Sequence, residues 1–514
     1  AQGVNQWIAK INEGAMGRGA PEFFLIPQDI AYWQPADSLA ILKLLAAASS
    51  NAAAGEILRA RLSLALPARG PELLRGEAPA RTLPVYADMF PGARMPAPER
   101  GQPAPADRGA ADFLRPGMGL GGNAFAAANN RTAAHGTLLA NDLQAPLIAP
   151  SLFYLARLQL GSGDVIGVTV PGMPVVLSGR NPHLAWGLMP AGLDDADIAI
   201  EEVQPGNASR YRGPEGWTDF RTRNEVIRVL DQPDQPITLR FTGNGPLIPA
   251  LTPALREVTP LGHVAALRWT GFSAEDSTIS ALMGLMRAPD MNSAALALNR
   301  VVAPALTATL ADGSGVRQVT VGAHPLRAEG HPTGGQMPVP GWLPAGQWTG
   351  IVPMPPAPPP TDPGVVIASG ESGPLALRHR RMERLLEDRE VHSRDSFIAT
   401  QLDVVSPAAR ALLPLVGADL WFTGDPAAPG TPERQRQDAL ALLAEWDGTM
   451  SEHLPEPLIY AAWMAALQDR LVRDEIGPLA DDLIRLHPGF LDAVFRNRNG
   501  AARWCDIVQS APVE

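Results

Sequence analysis

The chain has 514 residues, 46% of them hydrophobic and 18% charged, with 52 Pro and 49 Gly; this is ample for a large core in two or three lobes, and it marks a loop-rich globular protein. A net charge of −11, with Lys10 and Lys43 the only lysines among 42 basic residues, argues against a nucleic-acid partner; no Ser-x-x-Lys dyad or Gly-x-Ser-x-Gly elbow is present. Cys505 is the single cysteine, which excludes an internal disulfide and a Cys-x-x-Cys site.

Apolar residues recur at helical spacing from Ala36 to Leu66, with Asp37 or Ser38 as the cap, so the chain is expected to open on a helix. No uninterrupted apolar run reaches about 18 residues, so no membrane span is expected. From Asp88 to Gly121 the composition shifts to Pro, Gly, Ala and Arg, which predicts a spacer. Strands are predicted over Val165 to Val176, Val226 to Leu230, Ile237 to Phe241 and His263 to Trp269, and a hairpin over Thr307 to Val321 turning at Asp312–Gly315. Helices are predicted over Ser277–Arg287 and Ser293–Val302, then at Met382–Leu386, Ala408–Leu415, Gln435–Trp446 and Leu458–Val472. The pattern is α+β, organised as a helical segment (1–87), a spacer (88–121), a sheet-rich core (122–365) and a mainly helical lobe (366–514). The nine histidines show no metal spacing and are read as structural or exposed.

A series of short motifs carries more specific information: Gly122-Asn123-Ala124-Phe125, Asn141-Asp142, Ala149-Pro150-Ser151, Pro171-Gly172-Met173-Pro174, Gly179-Arg180-Asn181, Leu184-Ala185-Trp186-Gly187, Asp194-Asp195-Ala196-Asp197, Val339-Pro340-Gly341-Trp342 and Glu456-Pro457-Leu458. Their order and spacing resemble the penicillin amidase family over nearly the whole chain. The resemblance implies an αββα sandwich of the N-terminal-nucleophile hydrolase type and a periplasmic or secreted protein. It further implies a precursor that cuts itself before a serine, whose hydroxyl then attacks a linear amide with its own α-amine as base. Members also carry a further upstream segment and a long C-terminal continuation, so the fold is expected to be incomplete at both ends, with a missing segment of itself as an expected partner.

The serine of the family falls on Gly122, which has no hydroxyl. The backbone donor of the oxyanion hole falls on Ala191 or Pro190; proline has no N–H, and Ala191 is expected to serve. The side-chain donor, an asparagine in the family, falls on Ser369 or Gly370. Gln144, Asn123 and Arg378 match residues around the nucleophile, and Phe125, Phe153, Tyr154 and Met189 are candidates for an acyl pocket. Asp194, Asp197 and the carbonyl of Ala196, with Glu56, match a structural Ca²⁺ site whose hard oxygen donors suit that ion. The expectation is a penicillin-amidase-like protein that has lost amide hydrolysis and retains a small acyl amide ligand. The competing expectation is an active acylase on penicillins or acyl-homoserine lactones, with the hydroxyl supplied by Ser369 or Ser372.

Overall fold

The computed structural model describes residues 1–14, 19, 30–67, 70, 73, 83–93, 121–145, 151–229, 232–249, 253–355, 364–369, 376–417, 425–483 and 486–505. Helix α1 (Gln2–Asn12) leads to the predicted helical opening, which forms as two helices, α2 (Pro35–Ser49) and α3 (Ala52–Ala65). Proline at the first position of α2 and a reciprocal Gln34–Asp37 capping box start it. Ser50 breaks it by turning to extended backbone, and its hydroxyl donates to Asp195 Oδ1 at 2.6 Å. Taken as one stretch, residues 35–65 match a membrane-crossing helix by length and composition only, although α2 and α3 have 15 and 14 residues. In the fold this stretch is kinked and buries Leu42, Ala46, Ile57 and Leu62 together with the charged Glu56 and Arg61.

Most of the predicted spacer, 94–120, lies outside the described residues. Its first part forms the short helix α4 (Tyr86–Met89), and Gly121 already belongs to β1 (Gly121–Ala127). Strand β2 (Leu138–Gln144) follows, then β3 (Tyr154–Leu160), β4 (Gly163–Thr169), β5 (Ser178–Arg180) and β6 (Leu184–Pro190). The strand predicted to run to Val176 stops at Thr169, because Pro171 and Pro174 cannot donate to a ladder and the Thr169 hydroxyl closes the turn on Val175 O at 2.7 Å. Strand β7 (Ala196–Glu202) pairs antiparallel with β8 (His263–Trp269), the predicted strand with unchanged bounds. Between them lies an exposed arm, Arg221–Ile227 against Gln235–Thr242: the second strand contains the predicted Ile237–Phe241, whereas the first starts five residues before the predicted Val226 and ends at Ile227. Helices α5 (Thr278–Leu285) and α6 (Met291–Leu298) precede the predicted hairpin of β9 (Leu306–Asp312) and β10 (Gly315–Val321). The hairpin turns where Asp312 Oδ1 takes the Ser314 backbone N–H at 2.7 Å. Strands β11 (Ala323–Arg327) and β12 (Trp348–Pro353) pair with each other. Strand β13 (Val365–Ala368) and helices α7 (Leu377–Glu387), α8 (Arg394–Gln401), α9 (Pro407–Val416), α10 (Pro432–Glu445), α11 (Glu456–Ile476) and α12 (Pro488–Phe495) follow.

Four layers follow from which faces are apolar. A six-stranded sheet in the order β10-β9-β6-β5-β4-β3 buries Val165, Trp186, Leu188 and Leu310 against α5 and α6, which contribute Leu282, Leu285 and Leu298. Its other face meets the three-stranded sheet β13-β1-β2 through Ala311 and Val316 against Ala126 and Val366. The outer face of that small sheet carries Phe125, Ala127 and Ala140 against Met382 and Leu386 of α7 and Phe397 of α8. Helices, two sheets and helices are therefore stacked in the αββα order. Asn181 ties two layers together: its amide donates to the carbonyls of Met286 (3.2 Å) and Ala288 (2.8 Å), and its oxygen accepts from the backbone of His183 and Leu184. A further six-stranded sheet containing β7 and β8 packs on α3, α4 and Leu255, and the C-terminal helices bury Trp504, Phe490, Tyr460 and Leu412 in a core of their own.

Candidate functional site

Gly122 lies inside β1, with Gly121 opposite Gln144 and Gly122 opposite Leu143 on β2. The Gly121–Gly122 peptide is thus an ordered, paired part of a strand. The φ of Gly122 is +150°, a conformation that side chains rarely adopt, and a Cβ there would overlap the backbone oxygen of Asp142. Residue 122 not only lacks a hydroxyl; its backbone is set where only glycine fits.

Alternation along β1 decides which of the predicted residues meet. Ala124 faces inward, where it packs with Met189 of β6 and Ala368 of β13, and residue 122 shares its parity. Phe125 faces the opposite way, toward α7 and α8, so Phe125 and Met189 line different spaces and no common acyl pocket contains both. Pro190 ends β6 opposite Leu306, and the Ala191 N–H donates to Ala305 O at 3.0 Å. The expected backbone donor is therefore committed to the sheet ladder. Ser369 follows Ala368, shares the parity of Ile367, and turns its hydroxyl to α7, where it lies 3.1 Å from His379 Nδ1. It is not aimed at the space beside residue 122. Gly370 and Ser372 lie outside the described residues. Gln144 is exposed and donates to Asp142 Oδ2 at 2.7 Å, while Asn123 receives the Asn141 amide on its carbonyl at 2.8 Å. Arg378 sits half-buried in the first turn of α7.

The carboxylates do converge. Oxygens of Glu56, Asp194 and Asp197 lie within 4.8 Å of one another, because α3 packs on the start of β7. Glu56 Oε2 accepts the Ile198 N–H at 2.8 Å, and its Oε1, fully buried, has no hydrogen-bond partner among the described residues. Burial first, and the charge of Asp197 next, push the Glu56 carboxyl well above its usual range. Burial likewise raises Asp194 to about 7, against the pull of Arg327. Asp197 goes the other way: burial alone would raise it, but Arg327 and the Trp348 indole outweigh that and hold it low. Arg327 Nη2 bridges Asp197 Oδ1 (2.6 Å) and Asp194 Oδ2 (3.0 Å), and Trp348 Nε1 donates to Asp197 Oδ2 at 2.7 Å. Asp195 is satisfied separately by Ser50 and Trp269. Ala196 opens β7 opposite Trp269. An unpartnered buried carboxylate oxygen facing two more hard oxygen donors fits a calcium ion, and Arg327 already neutralises the outer side of the cluster. Sequence reading missed Arg327 and Trp348, since neither stands near the acidic motif. It also missed His379, although its i,i+4 spacing from Glu383 on one helix is legible.

These layers and this register define the fold of an N-terminal-nucleophile hydrolase. Residues 1–514 match the penicillin amidase family, and the chain belongs to that family. It is similar to the acyl-homoserine lactone acylase QuiP of Pseudomonas fluorescens (strain Pf0-1), with 29% identity over 505 residues, covering 93% of this chain and 60% of the relative. The penicillin acylase 2 proenzyme of Pseudomonas sp. (strain SE83) is 28% identical over 390 residues, covering 70% of this chain and 46% of the relative. The chain thus spans about 60% of the length of the acyl-homoserine lactone acylases it matches. Among solved structures, a thermostable penicillin G acylase from Alcaligenes faecalis in orthorhombic form superposes with a TM-score of 0.55 at 19% identity, covering 68% of this chain and 64% of that one.

Proposed function

We propose that this chain keeps the scaffold of the acylases and binds a small acyl amide, without the family's reaction at residue 122: no self-cleavage before it and no attack from it. The observation that carries this is the Gly122 backbone, which has neither a hydroxyl nor room for the carbon that would bear one. The Ala191 N–H, spent on Ala305, supports the same reading, since an oxyanion donor typically contributes about 10²–10³ in rate. The names of the relatives support acyl-homoserine lactones and penicillins as the ligand classes to try. Intact-mass analysis, with titration of a long-chain acyl-homoserine lactone and a phenylacetyl amide, tests it. An unbroken chain that binds without turnover is expected; cleavage at Gly121–Gly122, or hydrolysis of either compound that persists in Ser369→Ala, overturns it.

The second reading, an active acylase, is favoured by the same relatives' names. It requires another hydroxyl. We also propose a calcium ion held by Glu56, Asp194, Asp197 and the Ala196 carbonyl, in a structural role that pins α3 to β7, and an exported protein, periplasmic or secreted. Thermal unfolding in EDTA and in excess Ca²⁺ checks the ion.

A further inference from the structure

The outer face of the small sheet carries a group of residues that the reading of residue 122 does not use. Ser369 Oγ lies 3.1 Å from His379 Nδ1. The other ring nitrogen, Nε2, lies 3.3 Å from Glu383 Oε1, one turn further along α7. In the tautomer with its proton on Nε2, facing the carboxylate, the Nδ1 lone pair accepts from the serine hydroxyl. That is the logic of a nucleophile, its base and the group that orients the base, recognised by roles and geometry and not by position in the chain. The ladder adds a fourth member. Ala124 is opposite Ala368, so Ser369 follows in register beside Asn123, and both residues have the parity that faces α7. The Asn123 amide is only loosely engaged: Nδ2 lies 3.4 Å from Asp142 Oδ2, and Oδ1 is buried without a hydrogen-bond partner among the described residues.

We propose that Ser369, His379, Glu383 and Asn123 form a second nucleophilic centre, separate from residue 122, that cleaves carboxylic esters. Ser369 Oγ adds to the ester carbonyl carbon as its proton passes to His379 Nδ1, and the carbonyl oxygen takes up the negative charge facing Asn123 Nδ2. The C–O bond to the alcohol then breaks, and the alkoxide leaves with the proton from Nδ1. Water repeats the sequence on the acyl-serine, releasing the acid and restoring the hydroxyl. One side-chain donor stabilises an oxyanion less than a pair does, so an ester, with its better leaving group, is the substrate class and an amide is not. Ser369 is 3% exposed while the His379 side chain is 31% exposed, so the substrate must enter beside the imidazole and be small.

The experiment uses the full chain, a small fluorophosphonate and 4-nitrophenyl acetate. Expected are a phosphonyl adduct on the peptide that contains Ser369, its absence in Ser369→Ala, and labelling and ester cleavage slowed roughly 10²-fold in His379→Gln, the usual share of a general base. Glu383→Gln, with the side chain 42% exposed, keeps the melting temperature and slows both by a smaller factor. An unlabelled Ser369 in the folded wild-type chain overturns the proposal, as does labelling at the same rate in His379→Gln. These outcomes are independent of cleavage at Gly121–Gly122 and of amide binding, so this proposal and the reading of residue 122 fail separately.

Discussion

Gly122→Ala and Gly122→Ser separate what a hydroxyl does from what a carbon does at the family's nucleophile position. At φ +150° any side chain is strained, which costs about 1–3 kcal/mol. The overlap falls on a backbone oxygen of the neighbouring strand, which cannot rotate away as a side-chain tip does. Forcing the two strands apart adds roughly 1–3 kcal/mol, the range for overpacking. Together the loss is about 2–6 kcal/mol, or a fall in Tm of roughly 4–12 °C at 2 °C per kcal/mol. Both variants are expected to lose the same amount, and Gly122→Ser is expected to remain one chain by intact mass. Differential scanning fluorimetry with circular dichroism reads the first quantity. A Gly122→Ser protein as stable as wild type, or one that splits into two chains before residue 122, refutes the reasoning, because either shows that β1 has room for a serine in its working geometry.

Asn181→Ala leaves two buried carbonyls and two N–H groups without the side chain that joins them; a loss of about 2–4 kcal/mol is expected, seen as a lower urea midpoint at an unchanged m-value. Phe125→Ala removes the ring that packs on Phe397 with centroids 4.9 Å apart and is expected to cost about 3–5 kcal/mol, read as a lower urea midpoint. For Asp194 the sign is set by the raised carboxyl: the folded chain keeps a proton up to about pH 7 that the unfolded chain loses near pH 4, so this contribution is full below pH 4 and is lost as pH rises from 4 to 7. A third of the side chain is exposed, so solvent screening leaves on the order of 1 kcal/mol. Melting in EDTA should therefore show a decline over that window that Asp194→Asn makes shallower by its own share, the raised Glu56 carboxyl keeping the rest, and calcium, which needs the carboxylates, should offset it near neutral pH.

Strand identity was legible where composition and chemistry agreed, as in His263–Trp269 and the hairpin at Asp312–Gly315. It was less legible where a hydroxyl overruled the apolar pattern: Ser50 divides a helix that Ala and Leu would have continued, because Asp195 offers it a partner 145 residues away. The carboxylates Glu56, Asp194 and Asp197 were legible only through the resemblance to the penicillin amidase family, and the packing of α3 on β7 brings them together. Arg327 was not, since its link to Asp197 exists only after β11 folds alongside.

The catalytic positions fail for a subtler reason. Matching motifs places a residue along a strand, but the face it occupies depends on parity, and in a sheet one residue is the difference between the inner cleft and the outer layer. Ser369 stands one place past the residue that pairs with Ala124, close to residue 122 along the chain register yet turned to the helix on the other side. The same parity that turns it away from the space beside residue 122 places it against His379. The glycine-only backbone at residue 122 and the serine–imidazole contact thus lie on the two faces of one ladder, and the Ser369→Ala and Gly122→Ser variants perturb those faces separately.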